Sequence, residues 1–281
     1  MNYIKMMNEI NSLCDKYKSL SVGFIGESIL GKSIPLITLG EGEKQILYIG
    51  TQSGTDFGTC SVLLRFIKDY CAALEGNANI YGTPVEYINK KTTLFVLPML
   101  NPDGVEYCIE GIGADNPIRD RVLVMNGGSE DFSGWRANAR GVELGRNYDY
   151  MFSQYKSITE GCGAPEGYCG ENSESEPESG ALCNLLRYSK DLKGVIELFE
   201  GEEKIKYSGT DRINIARRLS DMAGYKAIEE STEACTLLPW CASELKIPAF
   251  AVGCQKTENA KNEFLAYSKI RKMLFCAPTA I

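Results

Sequence analysis

The chain has 281 residues, 44% of them hydrophobic, and a formal net charge of −7, which suits one globular domain over residues 1–281 with an ample core. The acidic balance argues against broad nucleic-acid binding, and the lack of a long apolar stretch or signal peptide predicts a cytoplasmic protein with no membrane partner. The chain contains no histidine, which excludes Ser-His-Asp and Cys-His catalysis and removes the commonest zinc ligand.

The predicted elements alternate between helices and strands. Apolar residues at helical spacing predict helices at 3–18, 61–70, 179–189, 211–224 and 258–276. Runs of β-branched and aromatic residues predict strands at 21–24, 34–39, 46–49, 92–99, 194–199 and 247–252. A turn is predicted at 101–104 and a loop over most of 110–134. This alternation predicts an α/β fold whose sheet is covered on both faces by helices.

The strand at 46–49 runs into a polar loop that contains Gly50, Gly54 and Gly58 and leads to the helix at 61–70. In an open α/β sheet, ligands bind at such a place, outside the carboxyl end of a strand. The loop lacks the G-x-G-x-x-G pattern and no Gly-Lys-Ser/Thr follows, so tight turning is favoured over the alternative of phosphate binding.

Four motifs occur in order along the chain. They are Asn101-Pro102-Asp103-Gly104, the WRANARGVELGRNY stretch at 135–148, GYCG at 167–170 with SEPES at 175–179, and a closing block of Trp240, Ile247-Pro248-Ala249-Phe250 and Glu258-Asn259. In this combination the chain resembles the zinc carboxypeptidases (family M14), most closely the bacterial branch that trims peptidoglycan stem peptides. The resemblance implies a three-layer α/β sandwich with a mixed, largely parallel sheet of about eight strands and a site at the strand ends.

The resemblance also implies a zinc held by His-x-x-Glu and a distant His, with a Glu as general base. At the matching positions this chain has Ser53 and Asp56, then Leu198 or Phe199, and Gly253 for the base. Because Ser, Leu and Phe do not supply zinc donors near neutral pH, we expect no cofactor, although zinc is expected for the family. The chain is thereby predicted to be a pseudoenzyme.

The part of the site that binds a substrate carboxylate is better preserved. Arg140 and Arg146 are identified with the family's two arginines, and guanidinium groups bind carboxylates bidentately. Gly145 replaces the asparagine that assists them, and no tyrosine stands in the loop 228–238 where a mobile one is expected. The alternative is that both arginines pair structurally with Glu143, Asp149 or other acids.

Three functions are therefore open. The first is a non-catalytic protein that binds a peptide or amino-acid carboxylate, or a protein partner, in the old cleft. The second is an active metallocarboxypeptidase or peptidoglycan-peptide hydrolase with rebuilt chemistry, using Asp56, the acids at 200–203 or Cys254. The third is an assembly role beside an active relative.

Two further alternatives concern metals and thiols. The acids at 200–203, with Asp56 and Glu197, could hold Mg²⁺ or Ca²⁺, although such a run more commonly forms a solvated loop. The eleven cysteines, at scattered spacings, fit reduced thiols. A disulfide or metal clip between Cys162 and Cys169 is the alternative.

Overall fold

The computed structural model describes residues 1–158, 161–230, 235–257 and 259–281. The helices are α1 (Tyr3–Lys16), α2 (Gly58–Glu75), α3 (Val85–Lys91), α4 (Pro102–Glu110), α5 (Arg119–Met125), α6 (Phe152–Lys156), α7 (Pro177–Tyr188), α8 (Ile213–Ala223), α9 (Leu237–Trp240) and α10 (Ala260–Ala280). The strands are β1 (Leu20–Glu27), β2 (Ser33–Leu39), β3 (Lys44–Ile49), β4 (Asn79–Ile80), β5 (Thr83–Pro84), β6 (Thr92–Leu97), β7 (Leu192–Glu200), β8 (Lys204–Tyr207), β9 (Lys226–Glu229) and β10 (Ala249–Cys254).

Eight strands form one sheet in the order β1-β2-β6-β3-β7-β10-β8-β9, which confirms the predicted mixed sheet. The four central strands, β6, β3, β7 and β10, run parallel. Strand β2 pairs antiparallel with β6 on one side, and β8 pairs antiparallel with β10 on the other. The chain leaves β3 for β6 on one side and returns to β7 on the other. Ligands bind at such a switch point, where the connecting helices diverge and open a crevice at the strand ends.

Helices cover both faces of the sheet because the central strands are apolar on both sides. One core layer joins β3, β6, β7 and β10 to α1, α2, α8 and α10, and aromatic rings fill its centre around Phe66. The opposite layer packs Leu47, Ile49 and Val195 beneath α7 and α9. Within the described residues, none of the helices has both the length and the apolar composition needed to cross a lipid bilayer.

Helix starts follow from local chemistry. The Asn101 side chain accepts a hydrogen bond from Gly104 N at 2.9 Å, and Pro102 occupies the first turn, so the predicted turn at 101–104 is the beginning of α4. Pro177 likewise opens α7, as predicted. Asn259 caps α10; residue 258, where the sequence placed the start of that helix, lies outside the described residues.

Several short elements were not predicted. The sheet contains β8 and β9, each of four residues, and α5 interrupts the segment 110–134 that was predicted as loop. Such short segments carry too few residues to show a period. The two strands are defined by their pairing, β8 with β10 and β9 with β8. Cys162 is exposed and Cys169 is buried, and no disulfide joins them, so the alternative bridge between them is not formed.

Candidate functional site

A polar cleft of about 370 Å³ opens at the carboxyl ends of β3, β7 and β10. It is lined by the loop after β3, the ends of β7 and β10, strand β8, and the segments around residues 136, 143–146 and 236–238. Its volume is that of a site for a small ligand or a single residue of a peptide. The cleft therefore lies where the sequence predicted it.

The loop after β3 is held in place by the asparagine of the first motif. The Asn101 amide donates to Gln52 O at 3.1 Å and to Ala137 O at 3.2 Å, which joins this loop to the WRAN segment. Gly54 is required there because a Cβ atom would lie 2.5 Å from Trp135 O. The motifs thus fix the backbone that presents Ser53 and Asp56 to the cleft.

Ser53 and Asp56 both line the cleft. The Ser53 hydroxyl shares a 2.8 Å hydrogen bond with the hydroxyl of Thr55, and Thr55 Oγ1 lies 3.4 Å from Asp56 Oδ1. Asp56 is 6% exposed. Burial raises its pKa to about 7, and repulsion from Glu200 acts in the same direction, against the attraction of Arg136. Burial thus disfavours the charged form of this carboxyl group when no cation lies beside it.

The structure resolves the alternative at the third ligand position. Phe199 lines the cleft, whereas Leu198 points to the opposite face of the sheet and packs in the larger core. Leu198 therefore does not face the cleft, because successive residues of a strand face opposite sides of the sheet. Phe199 brings a ring to this position, and Lys206 Nζ lies 5.1 Å from the ring centroid.

Gly253, at the position of the general base, has no functional group, and the surrounding atoms leave no room for a side chain there. Gly253 pairs with Phe199 across the parallel strands β10 and β7. A Cβ atom added to Gly253 would lie 1.9 Å from Glu202 O and 3.0 Å from Phe199 Cζ. Any side chain here would require the loop after β7 to move.

These side chains do not fit a zinc ion. The matching positions offer one carboxylate, one hydroxyl that is already hydrogen-bonded, and a phenyl ring. Zinc sites in proteins use three or four donors from Cys, His and carboxylate side chains. Among the residues that the structure describes, no group of three or more His, Cys, Asp or Glu converges as metal ligands do.

The structure separates the two arginines that the sequence paired. Arg146 lines the cleft, and its guanidinium lies 5.1 Å from the ring centroid of Tyr155. Arg140 does not line the cleft; its side chain is half exposed and lies 3.7 Å from Glu176. The second arginine of the cleft is Arg136, which sequence reasoning missed. It lies in the same WRANAR motif, four residues before Arg140. The motif therefore contains two arginines, and the sequence does not show which of them faces the cleft.

Arg136 pairs with Glu143 at the cleft. Its Nε lies 3.4 Å from Glu143 Oε1, and the other carboxylate oxygen of Glu143 accepts a 2.8 Å hydrogen bond from Gly167 N. Glu143 therefore connects the WRAN motif to the GYCG motif. Arg146 has no carboxylate within 4.0 Å among the described residues, so the predicted structural pairing with Glu143 or Asp149 is not formed there.

The acids after β7 do not form a cation site. Glu200 accepts hydrogen bonds from the backbone and hydroxyl of Thr257, Glu202 pairs with Lys204 at 2.6 Å, and Glu203 pairs with Lys269. Three different partners thus draw the three carboxylates apart. Cys254 is fully buried, and burial raises the pKa of its thiol well above the ordinary value, which disfavours the thiolate that a nucleophile requires.

Other cleft residues were not predicted from the sequence. Strand β8 contributes Lys206, which lies 3.6 Å from Glu230, and both line the cleft. Gln52 is 4% exposed, and its Oε1 accepts a 2.6 Å hydrogen bond from the Tyr148 hydroxyl. Of the loop 228–238, where a mobile tyrosine was sought, residues 231–234 lie outside the described part of the chain.

Comparison with known proteins gives consistent results. A relative from Lysinibacillus sphaericus, gamma-D-glutamyl-L-diamino acid endopeptidase 1, is 29% identical over 257 residues, which are 89% of this chain and 64% of that protein. YqgT of Bacillus subtilis is 30% identical over 182 residues, 63% of this chain and 48% of its own length. The chain therefore spans less than two thirds of the curated relatives that it matches.

Solved structures show the same fold. Bovine thrombin-activatable fibrinolysis inhibitor, solved in complex with a tick carboxypeptidase inhibitor, matches with a TM-score of 0.77 at 15% identity, covering 99% of this chain and 96% of the other. The murein-tripeptide amidase MpaA of Escherichia coli O157 matches with a TM-score of 0.57 at 16% identity, covering 90% and 91%. The family model described as zinc carboxypeptidase matches residues 6–242. This chain belongs to the zinc carboxypeptidase family.

Proposed function

We propose that this chain is a non-catalytic zinc carboxypeptidase homologue that binds the carboxylate of a peptide or amino acid in its cleft. The observation that carries the proposal is Arg146, a cation inside the cleft with no carboxylate partner among the described residues. Arg136 supports it from the rim, although it shares its charge with Glu143. A guanidinium presented in this way is suited to a carboxylate ligand.

The loss of catalysis is supported by the residues that replace the reactive groups. A phenyl ring stands at one ligand position, and the base position cannot accept a side chain without displacing Glu202. Removal of a general base alone costs about 10²–10⁴ in rate. We expect purified protein to contain no stoichiometric zinc and to hydrolyse neither peptides nor peptidoglycan fragments.

The binding test compares peptides that differ only in a free or an amidated C-terminus, by calorimetry and thermal shift. The panel includes peptides that contain a diamino acid, because the Lysinibacillus relative is named for such a substrate. Arg146→Ala should abolish the preference for the free carboxylate. Arg140→Ala is the matched control and should retain it, because that side chain lies outside the cleft lining.

A gain of function is also expected. A Cβ atom at Gly145 meets nothing within 4 Å, so Gly145→Asn has room to add the amide that the family resemblance implies at this position. One added hydrogen bond to a charged group should tighten binding about tenfold to a hundredfold. The proposal is wrong if no peptide binds through its carboxylate, or if the protein carries zinc and turns over peptides.

A further inference from the structure

Three arginines lie close together in the sequence at and beside the cleft, and their neighbours differ. Arg136 and Arg140 each lie within 4.0 Å of a glutamate. Arg146, which lines the cleft, lies beside a ring instead, because its Cζ is 5.1 Å from the ring centroid of Tyr155. Among the described residues, Tyr155 thus occupies the place beside Arg146 that an acid occupies beside each of the other two.

A ring and an acid hold a guanidinium group in different ways. An aromatic ring attracts the cation through the electrons of its face, and the contact leaves the positive charge uncompensated. The five N–H donors lie in the plane of the guanidinium and can still meet a carboxylate bidentately. A carboxylate in the same place would compete with the ligand, which would have to displace it. Tyr155 can therefore orient Arg146 and leave its charge available.

Tyr155 is itself held from two sides. Its hydroxyl donates to Gly167 O, in the GYCG motif, at 3.3 Å. Its half-buried ring packs against the buried cluster of Phe152, Cys169 and Cys235. A ring that is held in this way does not have to be ordered when a ligand arrives.

The backbone of Arg146 is fixed as well. Its N–H donates to Glu143 O at 2.8 Å, and Cys235 Sγ lies 3.2 Å from its carbonyl oxygen. The long side chain is the part that can still turn, and freezing such a side chain during binding weakens the affinity. The contact with Tyr155 reduces this loss because it holds the guanidinium before the ligand binds.

Gly167 connects the partners of the two cleft arginines. Its N–H donates to Glu143 Oε2 at 2.8 Å, and Glu143 is the acid beside Arg136. Its carbonyl oxygen accepts from Tyr155, which lies beside Arg146. Gly167 has a φ of 83°, which glycine adopts without the steric cost that other residues meet. One glycine of the GYCG motif thus anchors both partners.

We propose that Tyr155 is a positioning residue for the carboxylate site, because its ring holds the Arg146 guanidinium toward the cleft before a ligand binds. Tyr155 is not part of the cleft lining and acts only through Arg146. It also lies outside the four sequence motifs, so the resemblance to the family assigns it no role. This inference rests on the proposed function, since that function places the ligand carboxylate at Arg146.

The test measures by calorimetry how the whole chain binds acetyl-trialanine with a free C-terminus and with an amidated one. Tyr155→Leu removes the ring and should lower the preference for the free carboxylate about threefold to tenfold. Tyr155→Phe keeps the ring and should retain the preference within about twofold. In an Arg146→Ala background, Tyr155→Leu should cause no further change, because Tyr155 acts through Arg146.

A second measurement needs no ligand. An aromatic ring displaces the proton resonances of a group held over its face. The Arg146 Hε signal should therefore be displaced in the wild-type protein and in Tyr155→Phe, but not in Tyr155→Leu. Tyr188→Leu is the matched control, at a tyrosine that is 80% exposed and outside the cleft lining, and it should change neither the signal nor the affinities. If Tyr155→Leu does not fold, Tyr155→Met provides the same comparison.

The outcomes separate this inference from the proposed function. If the unchanged protein does not distinguish the two peptides, or if Arg146→Ala retains the preference, the proposed function fails and the role of Tyr155 fails with it. If Arg146→Ala loses the preference and Tyr155→Leu retains it, the carboxylate site stands and the role of Tyr155 is overturned. An equal loss in Tyr155→Leu and Tyr155→Phe would also overturn it, because the hydroxyl and not the ring would then be responsible.

Discussion

Replacement of Glu178 by glutamine should destabilise the protein at acidic pH and stabilise it at mildly alkaline pH. Glu178 belongs to the SEPES motif and is fully buried at the start of α7. Its carboxylate accepts from Ile29 N at 3.3 Å and from the Asn138 amide at 3.3 Å. These bonds do not offset burial, which raises its pKa from 4.5 to about 7 with added repulsion from Asp103.

The sign follows from proton binding. Below about pH 4 the carboxyl group is protonated in both the folded and the unfolded chain, so it adds no pH dependence. Between about pH 4 and about pH 7 the folded chain keeps a proton that the unfolded chain has lost, so the free energy of unfolding falls as pH rises. Above about pH 7 the folded chain has also lost this proton, so the decrease in the free energy of unfolding is complete. A shift of about 2.5 pKa units corresponds to about 3 kcal/mol.

Glu178→Gln removes this dependence. The amide can accept only at one oxygen, so the variant loses one of the two hydrogen bonds, at a cost of about 1 kcal/mol. It should therefore be less stable than wild type by about 1 kcal/mol near pH 4 and more stable by about 2 kcal/mol near pH 8.

Urea unfolding of both proteins across this pH range measures the difference. The control is Glu130→Gln, an exposed acid paired with Arg119, which should stay within about 0.5 kcal/mol of wild type throughout. A constant difference between Glu178→Gln and wild type at all pH values would refute the reasoning.

Two other predictions concern stability. Asp103 is fully buried and accepts a hydrogen bond from Lys32 Nζ at 2.7 Å. Asp103→Ala leaves a half-buried ammonium group without its nearest partner and should lower the free energy of unfolding by about 3 kcal/mol, measured in urea. A loss below about 1 kcal/mol would contradict this. Phe66→Ala removes a ring that packs against three other aromatic rings and should cost about 3–5 kcal/mol, whereas Phe24→Ala, at a side chain that is 57% exposed, should cost little. Similar losses for the two phenylalanine variants would show that this core assignment is wrong.

The motifs predicted from the sequence have structural roles that explain their composition. Asn101 caps α4 and holds the loop that carries Ser53 and Asp56. Asn138 of the WRAN motif donates to Glu176 at 2.8 Å and to Glu178 at 3.3 Å, which ties that motif to SEPES. Each of these motifs thus supplies a polar group that forms a hydrogen bond with another part of the site, which explains why these polar residues occur in the sequence.

The choice between neighbouring residues could not be made from the sequence. Arg136 and Arg140 have the same chemistry and lie in one motif, and only the path of the loop directs the first to the cleft and the second to Glu176. Leu198 and Phe199 differ by one position in a strand. Their orientation depends on the register of β7 with its neighbours, which aligns Phe199 with Gly253.

By itself the sequence determined the family, the mixed sheet and the absence of histidine ligands, because these depend on residue identity, order and short-range periodicity. The tertiary structure alone decided the charge pattern of the cleft. Asp56, Glu197, Lys206 and Glu230 come from separate segments of the chain, and they interact only because β7, β10 and β8 pair side by side. Electrostatic coupling falls with distance in space and not along the chain, so no local pattern could reveal it.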